Sequence, residues 1–168
     1  GFQFDHGAQY FTARDNRFNR YVNSWIDDGI VRPWQGRIVV LENGEVTGVK
    51  SGTDRFVAVP RMNAICRHLA TDLDLQFQTR IDPIKREGKK WRIADNKGTT
   101  WGLFDIAVVS APAGQTAELL NDVPPLAVRA RDTIMQGCWA VMLAFPSSLG
   151  LDFEGAFVHG SPLSWIAR

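Results

Sequence analysis

Apolar residues recur at three- and four-residue intervals in two stretches of the chain, and this spacing predicts two amphipathic helices. The first is expected over residues 17–28, with Asp15 or Asn16 as its N-terminal cap and Gly29 as its stop. The second is expected over residues 61–71, directly after a proline. Each helix would turn one apolar face towards a core.

Most of the remaining chain predicts short strands separated by turns. Asn43-Gly44 lies between two such strands and indicates a hairpin, because both residue types tolerate positive φ. The predicted strands cover residues 2–5, 37–41, 45–49, 56–59, 75–81, 83–86, 90–94, 99–101, 138–145 and 156–159. Mixed helices and strands in this order predict an α/β or α+β fold.

Residues 106–109 form a continuous apolar run, which is typical of a strand covered on both faces. Ala111 and Pro112 follow it, and helices are predicted over residues 116–120 and 127–134. In open α/β sheets, ligands lie where a strand turns into the next helix. These two small residues are therefore candidates for contact with a flat cofactor, and the alternative is an ordinary strand-to-helix turn.

Composition indicates a globular protein of about one domain, since 45% of the 168 residues are apolar and 22% are charged. The net charge of +1 favours neither nucleic acid nor an anionic membrane. Basic residues do concentrate over residues 85–92, where a solvated strand edge explains them better than nucleic-acid contact. No membrane segment is predicted, because the longest apolar run, residues 139–145, is too short.

The cysteine and histidine positions give no metal or disulfide pattern. Cys66 and Cys138 are far apart and form no CxxC motif, so a reducing, cytoplasmic environment is expected. The three histidines show no metal-ligand spacing, and no serine or cysteine has a recognisable base partner. We therefore predict neither a metal site nor a protein acid–base or nucleophilic pair.

The most specific motif covers residues 4–15, which read Phe-Asp-His-Gly-Ala-Gln-Tyr-Phe-Thr-Ala-Arg-Asp. This run resembles the renalase-like bacterial FAD-dependent oxidoreductases, which are relatives of the flavin amine oxidases and share a Gly-Ala-Gln-Tyr stretch. Weaker similarity continues through residues 60–65, 77–84, 104–112, 138–145 and 157–168. The resemblance implies an enzyme with FAD as its cofactor.

The chemistry of this motif suits a flavin. Gly7 and Ala8 can present backbone groups to a ring edge without steric penalty, and Gln9 offers both a donor and an acceptor. Tyr10 and Phe11 can form a wall against which a flavin or a substrate ring stacks. The alternative is a strand end with a buried aromatic pair.

The resemblance also implies roles for the rest of the chain. Residues 1–74, with a flavin-facing strand at 1–13, and residues 123–168 correspond to the substrate domain, and residues 75–122 to part of the FAD domain. Ile81 would pack on the adenine end of FAD, with Ala111 and Pro112 nearby. The strand–GxGxxG–helix unit that holds the FAD pyrophosphate in this family is missing from the sequence, so the chain resembles an interior fragment of such an enzyme. We therefore predict that the chain binds FAD weakly or not at all.

Three functions remain open from the sequence. The resemblance favours oxidation of isomeric, misreduced dihydronicotinamide dinucleotides to NAD(P)+ by hydride transfer to flavin. This reaction needs little acid–base chemistry from the protein, which agrees with the lack of a recognisable acid–base pair in the sequence. The alternatives are a flavin amine oxidase that acts on a small amine and a non-catalytic binding module on the same scaffold.

Overall fold

The computed structural model describes residues 4–168 of the chain, and these residues form both helices and strands. This confirms the mixed α/β class. The chain forms two units, one comprising the chain up to Leu73 together with Ala140–Arg168, and the other Asp74–Trp139. The assignment of residues 1–74, 75–122 and 123–168 to substrate and nucleotide parts stays a prediction, because it concerns what each part binds.

Within residues 4–168, these units contain four helices and nine strands. The helices are α1 Asn16–Asp27, α2 Ala64–Leu69, α3 Ala113–Leu119 and α4 Pro124–Arg131. The strands are β1 Val31–Pro33, β2 Ile38–Glu42, β3 Glu45–Val49, β4 Phe56–Ala58, β5 Lys85–Glu87, β6 Lys90–Ala94, β7 Thr100–Phe104, β8 Gly155–His159 and β9 Trp165–Ala167.

Helix α1 organises the first core of the first unit. It begins where Asp15 accepts a hydrogen bond from the backbone N–H of Arg17 at 2.8 Å, which satisfies a free donor of the first turn. It ends before Gly29, whose φ of +72° suits a residue without a side chain. Val22 and Trp25 pack against Val31 of β1. The predicted helix and its Asp15 cap are confirmed.

Two sheets complete the first unit. Strands β1 and β4 pair antiparallel, and the second sheet has the order β3-β2-β8-β9. Strands β2 and β3 form the predicted hairpin, with φ of +51° at Asn43 and +87° at Gly44. Strand β8 pairs parallel to β2, and Val39, Phe153 and Ala156 form the core of this sheet.

The second unit combines a meander with a helix pair. Strands β5, β6 and β7 pair antiparallel in chain order, and helices α3 and α4 pack against each other. The N–H of the buried Ile84 donates to the carbonyl of Leu119 at 2.8 Å, which ties the start of the meander to α3. Helix α4 begins at Pro124 itself rather than after the prolines, because proline has no N–H to lose in the first turn.

Asp95 holds the turn between β6 and β7 together. Its side chain is only 5% exposed, and its carboxylate accepts hydrogen bonds from the backbone N–H of Lys97 at 2.9 Å and of Thr99 at 2.8 Å. The indole N–H of Trp101 donates to the other oxygen at 3.3 Å. Burial acts to raise the pKa of Asp95, but these hydrogen bonds outweigh it and lower the pKa below its ordinary value of 3.8.

The lowered pKa of Asp95 predicts an acid-sensitive meander. A carboxylate with a depressed pKa in the folded state stabilises the fold above about pH 4, and this stabilisation is lost as the pH falls through the folded-state pKa. We expect Asp95→Asn to lower the thermal unfolding midpoint more at pH 7 than at pH 3. Asp72→Asn, which removes an exposed charge, is the control, and equal losses for Asp95→Asn at both pH values would contradict the prediction.

Three predicted strands are wrong. Residues 75–81 contribute only a single bridge from Ile81 to Asp95, and residues 106–109 and 138–145 form no strand. Ile106 and Val108 are 79% and 87% exposed, and Trp139 is 97% exposed. A strand requires a paired edge as well as apolar side chains, and no strand of residues 4–168 pairs with these runs.

Other differences concern element ends and short elements. The predicted helix at residues 61–71 is reduced to α2, and the predicted strand at residues 99–101 extends to Phe104. The predicted strand at residues 2–5 begins outside the described residues, and residues 4 and 5 are not in a strand. Strands β1 and β9 are three residues long and were not predicted, because such short elements carry too little alternation to be recognised.

Candidate functional site

Tyr10 and Phe11 lie on opposite sides of an extended segment beside β4. The backbone N–H and carbonyl of Phe11 both pair with Phe56, at 2.9 Å each. Successive side chains of extended backbone point in opposite directions, so Phe11 packs with Phe56 against the α1 core while Tyr10 faces the other way. This geometry separates two residues that the sequence placed on one ligand wall.

Tyr10 belongs to a group of four aromatic side chains, Tyr10, Trp34, Phe157 and Trp165, which we call the aromatic cluster. The ring centroid of Tyr10 lies 5.5 Å from those of both Trp34 and Trp165. The rings of Trp34 and Trp165 are 6.4 Å apart and nearly perpendicular, and Phe157 lies 4.8 Å from Trp165. These are the tilted and edge-to-face arrangements that aromatic pairs prefer.

Both sheets of the first unit contribute to the aromatic cluster. Trp34 follows β1. Its backbone N–H donates to the backbone carbonyl of Arg55 at 2.7 Å, which continues the β1–β4 ladder. Trp165 begins β9 and is the cross-strand partner of Phe157. Beneath it lies Gly155, where an added Cβ would come within 2.7 Å of the Trp165 ring. The indole therefore occupies space that exists only because this residue has no side chain.

Arg55 covers one face of Tyr10. Its guanidinium carbon lies 5.4 Å from the ring centroid, within the range of a cation–π interaction. Nη1 donates to the carbonyl of Thr53 at 3.3 Å. Nε is buried and has no hydrogen-bond partner, and the same is true of the indole N–H of Trp165. Within residues 4–168, one buried donor without an acceptor thus lies in the aromatic cluster, at Trp165, and another lies beside it, at Arg55.

A cleft of about 430 Å³ adjoins the aromatic cluster on the side of Trp34 and Arg55. Its lining consists of Pro33, Trp34, Gln35, Thr53, Asp54, Arg55 and Phe56. This volume is within the range of small-molecule sites, although the lining is more polar than is usual for them, with four polar or charged residues among seven.

The Gly7 to Gln9 segment precedes the aromatic cluster. Gly7 and Ala8 are exposed, and an added Cβ at Gly7 would meet no atom within 4 Å. The side-chain amide of Gln9 donates to the carbonyls of Gly7 at 2.7 Å and Asp5 at 3.1 Å. The side-chain NH2 group of Gln9 therefore holds the loop, and its amide oxygen could accept a hydrogen bond from a ligand.

The other predicted cofactor residues lie in the second unit. Ile81 forms the bridge to Asp95. Pro112 is the residue before α3, and the carbonyl of Ala111 accepts a hydrogen bond from the Thr116 hydroxyl at 2.7 Å. These contacts fit ordinary packing and capping, and the predicted contacts with FAD stay predictions.

The second unit also has a wider cleft of about 550 Å³. It is lined by Pro83, Gly114, Ala117, Glu118, Asn121, Arg131, Thr133 and Met135. None of the predicted site residues lines it. Within residues 4–168, no group of three or more potential metal ligands comes together, and no helix is both long and apolar enough to cross a membrane.

Sequence reasoning missed Arg55, Trp34 and Gly155. The only available signal was the unusual number of tryptophans, six in the chain. Nothing in the spacing connects Trp34, Arg55 and Trp165 with Tyr10, because β-strand pairing brings them together across most of the chain.

Comparisons with known proteins give a distant structural likeness. No protein-family model matches the chain. Among solved structures, the chain is similar to 2,6-dihydroxypyridine-3-hydroxylase from Arthrobacter nicotinovorans, with a TM-score of 0.39 and 13% sequence identity. The match covers 56% of this chain and 25% of the hydroxylase, so the matched part of this chain spans a quarter of that enzyme's length.

Proposed function

We propose that the chain is part of a flavin-dependent oxidoreductase in which residues 7–10 lie against the flavin. The observation that carries the proposal is the exposed backbone of Gly7 and Ala8, which leads directly into the aromatic cluster through Tyr10. The resemblance of residues 4–15 to renalase-like enzymes supports it.

The residues at this segment fit a flavin edge. Nothing in the described chain fills the space at Gly7, so the protein itself does not require glycine there. A planar ring approaching the backbone would require it. Within residues 4–168, the backbone N–H groups of Gly7 and Ala8 donate to no protein acceptor, and the Gln9 side chain holds the loop by its bonds to Asp5 and Gly7.

The proposed reaction is hydride transfer from an isomeric dihydronicotinamide dinucleotide to the bound flavin, which supplies the redox chemistry. Tyr10 would orient the planar substrate, and the neighbouring tryptophans would exclude water from it. Phe11 would support Tyr10 from the core instead of contacting the substrate.

The test is an absorption spectrum of the protein expressed from its natural gene, before and after addition of FAD. A bound oxidised flavin supports the proposal, and a colourless protein that leaves added FAD unbound contradicts it. Anaerobic mixing with isomeric dihydronicotinamides and with simple amines then identifies the substrate. Flavin bleaching by amines alone would favour the amine oxidase alternative over the proposed reaction.

Gly7→Ala separates the proposed flavin contact from a structural role. We expect an unchanged thermal unfolding midpoint, because the Cβ meets open space. Flavin affinity should fall roughly five- to a hundred-fold, since forcing a methyl group into a packed contact costs about 1–3 kcal/mol. Gly137→Ala, an exposed glycine that also has open space, is the control. Equal flavin affinity for both variants would place the flavin elsewhere.

A further inference from the structure

Arg55 is a cation whose bonding within the protein is incomplete. A guanidinium carries five N–H donors. Of these, Nη1 donates to the Thr53 carbonyl, and Nε is buried without an acceptor. No carboxylate of residues 4–168 lies within 4 Å of its nitrogens, although Asp54 is its neighbour in sequence. An unpaired, partly buried charge is costly, so an anion bound here would gain this interaction.

The fold holds this cation in place before any ligand arrives. The backbone carbonyl of Arg55 accepts a hydrogen bond from the backbone N–H of Trp34, and the guanidinium lies over the Tyr10 ring. The Thr53 carbonyl and the Tyr10 ring both restrain the guanidinium, so less side-chain entropy would be lost when a ligand is bound. Planar guanidinium groups bind oxyanions through two parallel hydrogen bonds, and these bonds form more readily when the guanidinium plane is already oriented.

Arg55 lines a cleft that also has aromatic walls. Trp34, Pro33 and Phe56 supply apolar walls in the cleft of about 430 Å³. The buried indole N–H of Trp165 is a second donor without an acceptor in the aromatic cluster. Among the lining residues, Asp54 is the negative one, and it is exposed, so solvent screens its effect on an incoming anion.

We propose that Arg55 anchors the oxyanion group, a carboxylate or phosphate, of a planar aromatic ligand that lies in this cleft beside the aromatic cluster. The inference deepens the proposed function, because it names the chemical class of the ligand that the Tyr10 side of the site takes. Arg55 sets the charge preference of the site, and the aromatic walls set its preference for flat rings.

The experiment titrates the complete chain with three probes: benzoate, phenyl phosphate and the neutral benzamide. Calorimetry gives the affinities, and the NMR signals of the Trp34 and Trp165 indole N–H groups report the place of binding. We expect at least one of the two anions to bind about tenfold or more tightly than benzamide and to shift both signals, because a charged hydrogen bond is worth about 1.5–3 kcal/mol. The preferred anion distinguishes a carboxylate ligand from a phosphate ligand.

Arg55→Gln should remove this preference, with a loss of about tenfold or more in anion affinity and little change for benzamide. The matched control is Arg86→Gln, because Arg86 also stacks on an aromatic ring, that of Trp91 at 5.0 Å, in the second unit. Arg86→Gln should bind the anions as the unchanged protein does.

Either of two results overturns the inference: anions that bind no better than benzamide, or an Arg55→Gln variant with unchanged anion affinity. The first result needs no variant, so it stands even if Arg55→Gln does not fold. The titrations contain no flavin. A failure here therefore leaves the flavin proposal intact, whereas a protein that never binds flavin refutes the proposed function even if Arg55 binds anions.

Discussion

Trp25→Ala is expected to destabilise the first unit by about 3–5 kcal/mol, which is the cost of truncating a buried tryptophan. Trp25 is only 8% exposed and packs with Val22 and Val31 in the α1 core. The ring of Phe18 meets it edge-on at 6.0 Å and would lose this partner. A loss of this size is a large fraction of the total stability of an ordinary domain.

Urea unfolding followed by far-ultraviolet circular dichroism measures this loss, because the signal does not depend on the removed fluorophore. Tyr21→Ala is the matched control, since Tyr21 lies on the same helix with its ring 6.3 Å from Trp25 but is 62% exposed. We expect it to cost less than about 1 kcal/mol. Similar losses for the two variants would show that the α1 core is not packed as described.

Gly155→Ala is expected to destabilise the same unit by about 1–3 kcal/mol, the usual cost of inserting a methyl group into a packed site. The new Cβ would lie 2.7 Å from the Trp165 ring and 3.0 Å from the Ile38 side chain. Ile38 is buried in the central strand β2, so the indole must move. Its displacement would change the packing of Trp165 on Phe157 and Tyr10.

Displacement of the Trp165 indole should change the near-ultraviolet circular dichroism of the aromatic cluster, along with the unfolding midpoint. Gly48→Ala is the control within the same sheet, because its Cβ would meet only Val40, at an ordinary 4.0 Å. Alanine in a compatible strand position is neutral to stabilising by about 0.4–1 kcal/mol. An equally stable Gly155→Ala variant with an unchanged aromatic spectrum would contradict the close packing of Trp165.

Packing at Gly155 affects the position of the Tyr10 ring through Trp165. Trp165 packs closely over Gly155 of β8, and its ring also contacts Tyr10. The position of the Tyr10 ring therefore depends on a strand that lies at the opposite end of the chain. Substitutions at Gly155 should affect ligand binding at the cleft although this glycine does not line it.

The structure sends the side chains of Tyr10 and Phe11 to opposite sides of their segment, although the sequence predicted that both form one wall against a ring. Phe11 was grouped with Tyr10 because both are aromatic and adjacent, whereas extended backbone sends adjacent side chains to opposite sides. The alternation was visible only once the bridge between Phe11 and Phe56 defined the local conformation. Arg55, the cation that lies over the Tyr10 ring, gave no sequence signal, because only the folded chain shows that no carboxylate of residues 4–168 lies within 4 Å of its nitrogens.

The sequence by itself determined the elements whose signals lie in adjacent residues: helix α1 with its Asp15 cap, the Asn43-Gly44 hairpin, and the strands β6 and β8. Only the tertiary structure decided which apolar runs become strands, since residues 106–109 have the composition of a strand but pair with no strand of residues 4–168. It also decided which distant residues meet at the site. Proximity of Tyr10, Arg55 and Trp165 follows from strand pairing across the chain, and that pairing is a property of the whole fold.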